Sequence, residues 1–342
     1  MPATGHRAVV IGASTLLGKE LIEELSSTEP SWDVVLSDAA ESGGQIVAAG
    51  DEPMLIQALR PDLFQGAAVA FFAENPSTTR SHYKEAHKSG AAVVDLTATL
   101  EPAPGVLVRS PWIPGGVAPD LTTTAVVPAH PAAVMLGIIA TRLRSSFGEM
   151  RLSVTVLEPA SQQGSRGVDE VHQQTVSLLG FHSLPQDVYD AQVAFNLRSS
   201  VGDAARSGLG AISKLIRKDL AAVAGDAVSA ATAFQLIQAP VFHGYTMSVF
   251  VDLPAAAHAG AVRKALDGGV LELKSGGEES PTNQSVSEAS GIQLSLVEER
   301  AAAEGRKAYW LWVAADNLKL AARHALACAA ELASLRDEGD VQ

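Results

Sequence analysis

The chain has 342 residues, of which 47% are hydrophobic and 18% charged, and its formal net charge is −13. This composition predicts a compact folded protein that is long enough for two domains. The acidic balance argues against nucleic acid or an anionic membrane as a partner. The one cysteine excludes an internal disulfide and favours a reducing cytoplasm. No apolar run approaches the roughly 20 residues that span a bilayer.

The first part of the chain alternates predicted strands with predicted helices. Short apolar runs predict strands, and apolar residues at helical spacing predict helices. The predicted strands are Arg7–Ile11, Val34–Leu36, Ala68–Ala73 and Ala91–Asp95, and the predicted helices are Thr15–Leu25, Pro53–Leu59 and Ser77–Ser89. Near-continuous apolar strands that alternate with helices indicate an α/β domain with a doubly wound parallel sheet.

A loop rich in proline and glycine, Pro102–Gly116, precedes a change of pattern. From about Arg151 the predicted strands are longer and alternate in polarity, which indicates an antiparallel or mixed sheet. These strands are Leu152–Leu157, Ala230–Ile237, Tyr245–Asp252, Ile292–Glu298 and Tyr309–Ala315, and helices are predicted at Val168–Leu179, Leu209–Ala224 and Ala256–Leu266. Lys274–Ser290, rich in Gly, Ser and Glu, is predicted to be a mobile loop.

The chain ends in an alanine-rich predicted helix, Leu318–Leu335, which Asp316 is placed to cap. We predict two domains. Residues 1–128, completed by the C-terminal helix 316–342, form a dinucleotide-binding domain. Residues 129–315 form an α+β domain for dimerisation and substrate binding.

The turn between the first strand and the first helix resembles a dinucleotide-binding turn, in which backbone amides and the helix dipole meet a pyrophosphate. Thr15 stands where a middle glycine would let the ligand approach, and Asp38 follows the second strand, where an acid binds a ribose hydroxyl. The predicted Rossmann-like site comprises Gly12, Ser14, Thr15, Leu16, Leu17, Gly18 and Asp38. The alternative is a turn that only packs the helix against the strand.

Several further stretches resemble aspartate-semialdehyde dehydrogenase. They are Val126–His130, Asp95–Glu101, Gly164–Glu170, Phe195-Asn196, Gln238–Tyr245 and Ala315–Leu318. The resemblance implies a homodimer formed through the second domain. The family holds the 2′-phosphate of NADP with an arginine after the second strand, where this chain has Asp38 and Glu41. We therefore expect that any dinucleotide bound is NAD rather than NADP, and that it is bound weakly.

The resemblance also implies a set of catalytic residues, and this chain departs from the set at every position. The family uses a cysteine nucleophile, a histidine base, a glutamine and two arginines, and the matching positions hold His130, Tyr245, Glu158, Gln238 and Glu101 in turn. An imidazole cannot form the thioester intermediate, and a tyrosine with a pKa of about 10 is a poor base. Loss of the two arginines leaves a site that repels an anionic substrate.

We expect His130 to be uncharged, Cys328 to be inert and His243 to be of secondary importance. His130 is expected to be neutral, because the dipole at a helix N-terminus disfavours a cation. Cys328 is expected to be packed in the final helix. His243 lies two positions before Tyr245, which on a strand would put both on one face and offer an alternative imidazole. No cluster of histidine and cysteine has the spacing of a metal site.

Three hypotheses of function remain. The favoured one is a non-catalytic or regulatory dimer, similar to the cysteine-lacking relatives that some bacteria carry beside the working enzyme. Such a dimer would retain weak binding of NAD, and association with a working paralogue is possible. The second is an oxidoreductase with a mechanism that needs no thioester, in which Glu158, His130 and His243 are the polar groups. The third, activity in amino-acid biosynthesis despite the missing thiol, is the least favoured.

Overall fold

The computed structural model describes residues 6–28, 32–39, 44–49, 52–275, 279–287, 289–300 and 302–337. The chain divides into two compact units. The first comprises residues 1–111, 116–129 and 321–342, and the second comprises residues 112–115 and 130–320. No helix in the described ranges is long and apolar enough to cross a membrane.

The first unit is built on a parallel sheet. Its strands and helices are β1 (Arg7–Ile11), α1 (Leu16–Ser26), β2 (Asp33–Asp38), β3 (Ile46–Ala49), β4 (Glu52–Leu55), β5 (Gln57–Ala58), β6 (Val69–Phe72), α2 (Pro76–Lys88), β7 (Ala92–Asp95), β8 (Val106–Arg109) and β9 (Ala125–Pro128). Seven of the strands pair in the order β5-β2-β1-β6-β7-β9-β8, and all of these pairings are parallel, whereas β3 and β4 form a separate antiparallel pair. The predicted doubly wound sheet is thereby confirmed.

The second unit is built on a mixed sheet. Its elements are α3 (Pro131–Phe147), β10 (Arg151–Glu158), α4 (Gly164–Leu179), α5 (Leu209–Ala224), α6 (Asp226–Ala230), β11 (Thr232–Gln238), β12 (Tyr245–Pro254), α7 (Ala259–Ala265), β13 (Leu271–Leu273), β14 (Ile292–Glu299) and β15 (Arg306–Ala315). The strand order is β11-β10-β12-β15-β14-β13, with antiparallel pairs in the centre and parallel pairs at both edges. The predicted mixed sheet is confirmed.

The final helix, α8 (Asn317–Asp337), starts with the predicted cap. The Asp316 carboxylate accepts the backbone amides of Leu318 and Lys319, both at 2.9 Å. These bonds satisfy two amides that have no partner inside the helix. The predicted loop Lys274–Ser290 lies only partly within the described residues, and its described part includes a short 3-10 turn at Ser285–Ser287.

Two elements differ from the prediction. The sequence predicts a helix at Pro53–Leu59, but this segment contains β4 and β5, because Pro53 pairs with Ala48 and Ala58 pairs with Asp38 of β2. Seven residues are too few to separate the two periodicities, so strand pairing with distant residues decides. The predicted loop Pro102–Gly116 contains β8, whose short apolar run extends the sheet at β9.

The parallel sheet has a hydrophobic core on each face. Successive side chains of a strand point to opposite faces, so Ala8 and Val10 join one core while Val9 and Ile11 join the other. Residues Ala322–Leu332 of α8 contribute to the first core. This two-sided burial explains why the strands are apolar at nearly every position.

The two faces of the mixed sheet differ in exposure. Along β12 the residues at odd positions, from Tyr245 to Val251, are fully buried. The opposite face presents apolar side chains that remain accessible in the single chain, among them Trp310, 42% exposed, and its partner across the sheet, Val297, 64% exposed. Phe250 packs edge-on against Trp310 at 5.1 Å between ring centroids. The mixed sheet therefore has an open apolar face that includes two aromatic rings.

Candidate functional site

His130 caps the N-terminus of α3. Its Nδ1 accepts the amide of Ala132 at 3.2 Å, and its own amide donates to the Asp219 carboxylate at 2.7 Å. Pro131 fills the first helical position, which lacks an intrahelical amide bond in any case. The imidazole is 8% exposed. The residue is thus held on both its backbone and its ring.

The His130 ring is neutral at pH 7, as expected. Burial lowers its pKa to about 4, so desolvation is the cause rather than the helix dipole that the sequence suggested. Because Nδ1 accepts a hydrogen bond, the proton is on Nε2, which lies 3.2 Å from the side-chain nitrogen of Gln162. A protonated Nε2 requires the Gln162 amide to turn its oxygen toward the ring. Both ring nitrogens are then engaged.

Glu158, at the end of β10, is a buried acid that is protonated at pH 7. Its side chain is completely buried, and no described residue lies at hydrogen-bond geometry from either carboxylate oxygen. Burial raises its pKa to about 8, and the side chain of Gln163, which approaches it, opposes part of this shift. A neutral carboxylic acid can donate a proton or a hydrogen bond but cannot act as an anion.

Gln238 and Tyr245 complete this cluster in the second unit. Gln238 lies beside Glu158 in the strand pairing, and its amide nitrogen donates to the Glu158 carbonyl at 3.0 Å. Tyr245 packs edge-on to His130 with 6.0 Å between ring centroids. Burial and the neighbouring Glu158 raise the Tyr245 pKa well above its ordinary value. These four side chains, His130, Glu158, Gln238 and Tyr245, are hereafter the polar cluster, and all four are uncharged at pH 7.

Glu101 lies in the other unit, in the turn that follows β7. Asp95, at the end of β7, organises this turn by accepting the amides of Thr97 and Leu100, each at 2.8 Å. Glu101 is half-buried there. The resemblance at Asp95–Glu101 therefore falls on a turn with a defined hydrogen-bonded shape.

His243 does not share a strand face with Tyr245. β12 begins at Tyr245, and Gly244 before it has φ of +85°. This left-handed residue breaks the two-residue alternation on which the expectation rested. The alternative imidazole near Tyr245 is therefore not supported by strand geometry.

The residues that hold the polar cluster in place were not predicted from the sequence. Asp219 binds the His130 amide, and the Asn317 side-chain oxygen accepts Ser161 Oγ and the Gly244 amide, both at 3.0 Å. Asp219 had a detectable signal, because it lies on the buried face of α5 between Ile216 and Leu220. An acid at a core position of an amphipathic helix requires a buried partner.

The glycine turn after β1 has the backbone shape of a dinucleotide turn. Gly12 has φ of +98°, and a Cβ there would lie 2.5 Å from the Glu74 backbone nitrogen. A Cβ on Gly18 would lie 1.9 Å from the Gly12 carbonyl oxygen. Both glycines are therefore required for packing α1 against the sheet, whether or not a ligand binds.

The amides of this turn are partly engaged by the chain's own side chains. The Ser14 amide donates to both Asp38 carboxylate oxygens, at 3.2 and 3.4 Å, and the Gly18 amide donates to Thr15 Oγ1 at 2.9 Å. Thr15 is the N-cap of α1, so its side chain turns toward the helix start instead of simply crowding a ligand. The amides of Leu16 and Leu17 are the donors that no described residue accepts.

The turn fits a dinucleotide in backbone shape but not in free donors and charge. Asp38 is completely buried, so its carboxylate is not presented to a ribose. Glu74, at the end of β6, adds a second acid, whose Oε1 accepts the Ala39 amide at 3.2 Å. Glu41, expected to repel a 2′-phosphate, lies outside the described residues. A pyrophosphate would have to displace Asp38 from Ser14.

Cys328 is far from this chemistry in the chain and is packed in α8. The thiol is buried, with Sγ 3.8 Å from the Arg109 carbonyl, and burial raises its pKa. A buried thiol with a raised pKa is unreactive. Within the described ranges, no group of histidine, cysteine and acidic residues could hold a metal ion.

Comparison with known families defines the class of this two-domain molecule. The model of the semialdehyde dehydrogenase NAD binding domain matches residues 7–176, and that of the semialdehyde dehydrogenase dimerisation domain matches residues 141–320. The chain therefore belongs to the semialdehyde dehydrogenase family. It carries both of the family's domains.

Similar proteins include members with two different names. The chain is 30% identical over 263 residues to a USG-1 protein homolog of Pseudomonas aeruginosa, covering 75% of this chain and 77% of that protein. It is 24% identical over 322 residues to an aspartate-semialdehyde dehydrogenase of Rickettsia bellii, covering 92% and 93%.

Solved structures of the family share the fold. A probable aspartate-semialdehyde dehydrogenase from Pseudomonas aeruginosa matches with a TM-score of 0.80 and 25% identity, covering 96% of this chain and 98% of the other. Aspartate semialdehyde dehydrogenase II from Vibrio cholerae matches with a TM-score of 0.84 and 19% identity, covering 97% and 99%. The second likeness is one of fold alone.

Proposed function

We propose that this chain is a non-catalytic, dimeric member of its family with a binding or regulatory role. The observation that carries the proposal is the state of His130. By the resemblance of Val126–His130 to the family's motif, this residue takes the place of the cysteine nucleophile. A neutral imidazole that caps α3 through Nδ1 and contacts Gln162 through Nε2 has no free nucleophilic nitrogen.

The surroundings of His130 support the same proposal. Tyr245 and Glu158 are both protonated at pH 7, so neither is a base for a nucleophile. The polar cluster includes no cation for a carboxylate or a phosphate. A substrate with several negative charges would lose its hydration without gaining a counter-charge.

The test is an assay of the purified protein with aspartate semialdehyde, inorganic phosphate and either NADP or NAD. We expect no reduction of the nucleotide above the rate without protein. Turnover near the usual enzyme range of about 1–10³ per second would contradict the proposal. A working family member assayed in parallel controls for the substrate.

We further propose that the dimer forms through the open apolar face of the mixed sheet. Trp310 and Val297 lie opposite each other on this face, and Phe250 packs beside them. A two-fold axis on such a face makes the contact self-complementary, and stable dimers bury roughly 2,000 Å² or more. A working paralogue with the same face could replace one subunit.

Disruption of this face is expected to give monomers. Val297→Glu and Trp310→Glu each place a charge in the proposed interface, so light scattering should show a mass near the chain's 35.5 kDa. Leu121→Glu, at a residue 76% exposed in the first unit, is the matched control and should remain dimeric. A wild-type monomer at micromolar concentration, or dimers of both interface variants, would remove this proposal.

A second candidate function is an oxidoreductase with a mechanism that needs no thioester. Glu158 favours it, because a buried acid with a pKa raised to about 8 and unpartnered oxygens is typical of general acids. Reduction of NAD in the presence of an alcohol or an uncharged aldehyde, abolished in Glu158→Gln, would establish this alternative.

For the cofactor, we propose that any dinucleotide bound is NAD and that binding is weak. Asp38 is at the end of β2, where a 2′-phosphate would meet its charge, and Ser14 is already engaged. Tighter binding of NADP than of NAD by the wild-type protein would contradict this preference.

A further inference from the structure

We infer that Asp38 is an internal competitor for the dinucleotide turn and not an acceptor for the ribose. The inference rests on the proposed weak binding of NAD and names the residue that causes the weakness. Its carboxylate takes the amide that a pyrophosphate oxygen would take. If Asp38 competes with the pyrophosphate, removing its charge should tighten the binding of NAD. If Asp38 accepts a ribose hydroxyl, the same change should weaken it.

The Asp38 carboxylate is already bound within the turn. Both oxygens of Asp38 lie within hydrogen-bond distance of the Ser14 amide, at 3.2 and 3.4 Å, and the residue is completely buried. A hydrogen bond between an ionised group and a backbone amide is stronger than a neutral one. A ribose hydroxyl would therefore have to compete with an established internal bond for a carboxylate that solvent does not reach.

The turn has few backbone amides left for a ligand. Anion binding at a helix start relies on the amides that have no partner within the helix. Thr15 Oγ1 already accepts the Gly18 amide at 2.9 Å, and Asp38 accepts that of Ser14. The Thr15 amide also donates to the Gly12 carbonyl, at 3.0 Å. Of the five amides from Ser14 to Gly18, three are therefore engaged in internal bonds, and only those of Leu16 and Leu17 have no acceptor among the described residues.

A second acid, Glu74, lies beside the same turn, since a Cβ on Gly12 would be 2.5 Å from the Glu74 backbone nitrogen. Its Oε1 accepts the amide of Ala39, the residue after β2, and its Oε2 is buried without a described hydrogen-bond partner. Asp38 and Glu74 therefore put two carboxylates beside the turn. A pyrophosphate entering this environment meets like charges at low dielectric, where repulsion is strongest.

The test compares charge-neutral variants by ligand-observed NMR titration, which measures millimolar dissociation constants. The probes are NAD, ADP and adenosine, since adenosine has the ribose without phosphate. Asp38→Asn is expected to tighten NAD and ADP about tenfold and to leave adenosine unchanged. Glu74→Gln, which preserves the Asp38–Ser14 bond, is expected to tighten NAD and ADP by a smaller factor.

Asp33→Asn is the matched control, because Asp33 is exposed at the opposite end of the same strand. It removes the same charge and should change no affinity. Weaker binding of NAD and adenosine by Asp38→Asn would establish the ribose role and overturn the inference. Equal tightening by Asp33→Asn, or no change in either turn variant, would also overturn it. A thermal melt of each variant verifies folding, and Asp38→Ser, which also removes the carboxylate, replaces Asp38→Asn in the comparison if that variant unfolds.

Failure of the proposed weak binding of NAD is visible separately, in the wild-type titrations. Tight binding of NAD by the wild-type protein contradicts the proposed function, whatever the variants do. Weak binding by the wild type with weaker binding by Asp38→Asn contradicts only the inference.

Discussion

Restoring cysteine at position 130 is expected to leave the chain without aspartate-semialdehyde dehydrogenase activity. At the start of α3 the helix dipole favours a thiolate, whereas burial of this position, 8% exposed, disfavours it. The thiol would stand among the protonated Tyr245, the protonated Glu158 and the neutral Gln238. None of these three side chains is a base that could accept its proton, and none is a cation that could hold the substrate.

The expected deficit in turnover of His130→Cys is large. Loss of one member of a catalytic set costs several orders of magnitude in rate, and the other four positions still differ from the family's set. We expect the turnover of His130→Cys with aspartate semialdehyde and phosphate to remain below detection with either nucleotide. Turnover near about 1 per second in this single variant would show that the other positions are dispensable.

Chemical labelling distinguishes a thiol that reagents cannot reach from one that is accessible but catalytically inactive. Alkylation at neutral pH followed by mass spectrometry measures whether reagents reach the thiol introduced by His130→Cys at this 8% exposed position. Cys328 is the internal reference and should remain unlabelled, since its thiol is completely buried with a raised pKa. Adding Tyr245→His, Glu158→Gln, Gln238→Arg and Glu101→Arg to His130→Cys tests whether the set acts as a unit. Activity that appears only in the combined variant would support that view.

The protein is expected to be most stable near pH 6.5 and to lose stability as the pH rises toward 8. Glu158 has a folded-state pKa of about 8 against an ordinary value of 4.5. The contribution of Glu158 to the free energy of unfolding is fully present below pH 4.5 and is lost as the pH rises through about 8. Between pH 6.5 and 8 the loss is about 2 kcal/mol at the usual conversion from pKa to free energy.

Two buried histidines act in the opposite direction on the acid side. The pKa of His130 is lowered from 6.5 to about 4, and that of His324 from 6.5 to about 3. Both folded-state values lie below the unfolded one, so stability is lost as the pH falls below 6.5. Below pH 6.5 the stability that is lost through the two histidines exceeds the stability that is gained through Glu158. Above pH 6.5 Glu158 is the one of these three residues that still changes the stability.

Glu158→Gln should abolish the loss of stability between pH 6.5 and 8. Melting temperatures of wild type and variant between pH 5 and 9 give the measurement, and the variant is expected to be flat from pH 6.5 to 8. Glu170→Gln is the matched control. Glu170 is also buried, but its side chain accepts the amides of Val188 and Tyr189 at 2.6 and 3.1 Å, whereas that of Glu158 accepts no backbone amide of a described residue. That variant should lose stability at every pH and retain the wild-type decline. An unchanged decline in Glu158→Gln would assign it to another group.

Much of the architecture was predictable from the sequence, because its determinants lie within a few residues of one another. Apolar runs such as Ala68–Ala73 predict buried parallel strands, and Asp316 predicts the start of α8. Gly12 and Gly18 are required by backbone contacts across one strand–turn–helix unit. Pro131 similarly predicts where α3 begins. Backbone sterics and short periodicities are local properties, so the residues report them directly.

Tertiary structure alone decided the state of the candidate site. His130 is held at the start of α3 by Asp219, which α5 brings to its amide from 89 positions away, and burial keeps its ring neutral. Glu158 is protonated because the folded chain removes it from water. Asp38 was predicted to face a ribose, yet it is buried against Ser14 across 24 positions. The strands within Pro53–Leu59 likewise depend on pairing with β2 and β3. Burial and the partner of each polar group depend on distant segments, and no local pattern in the sequence encodes them.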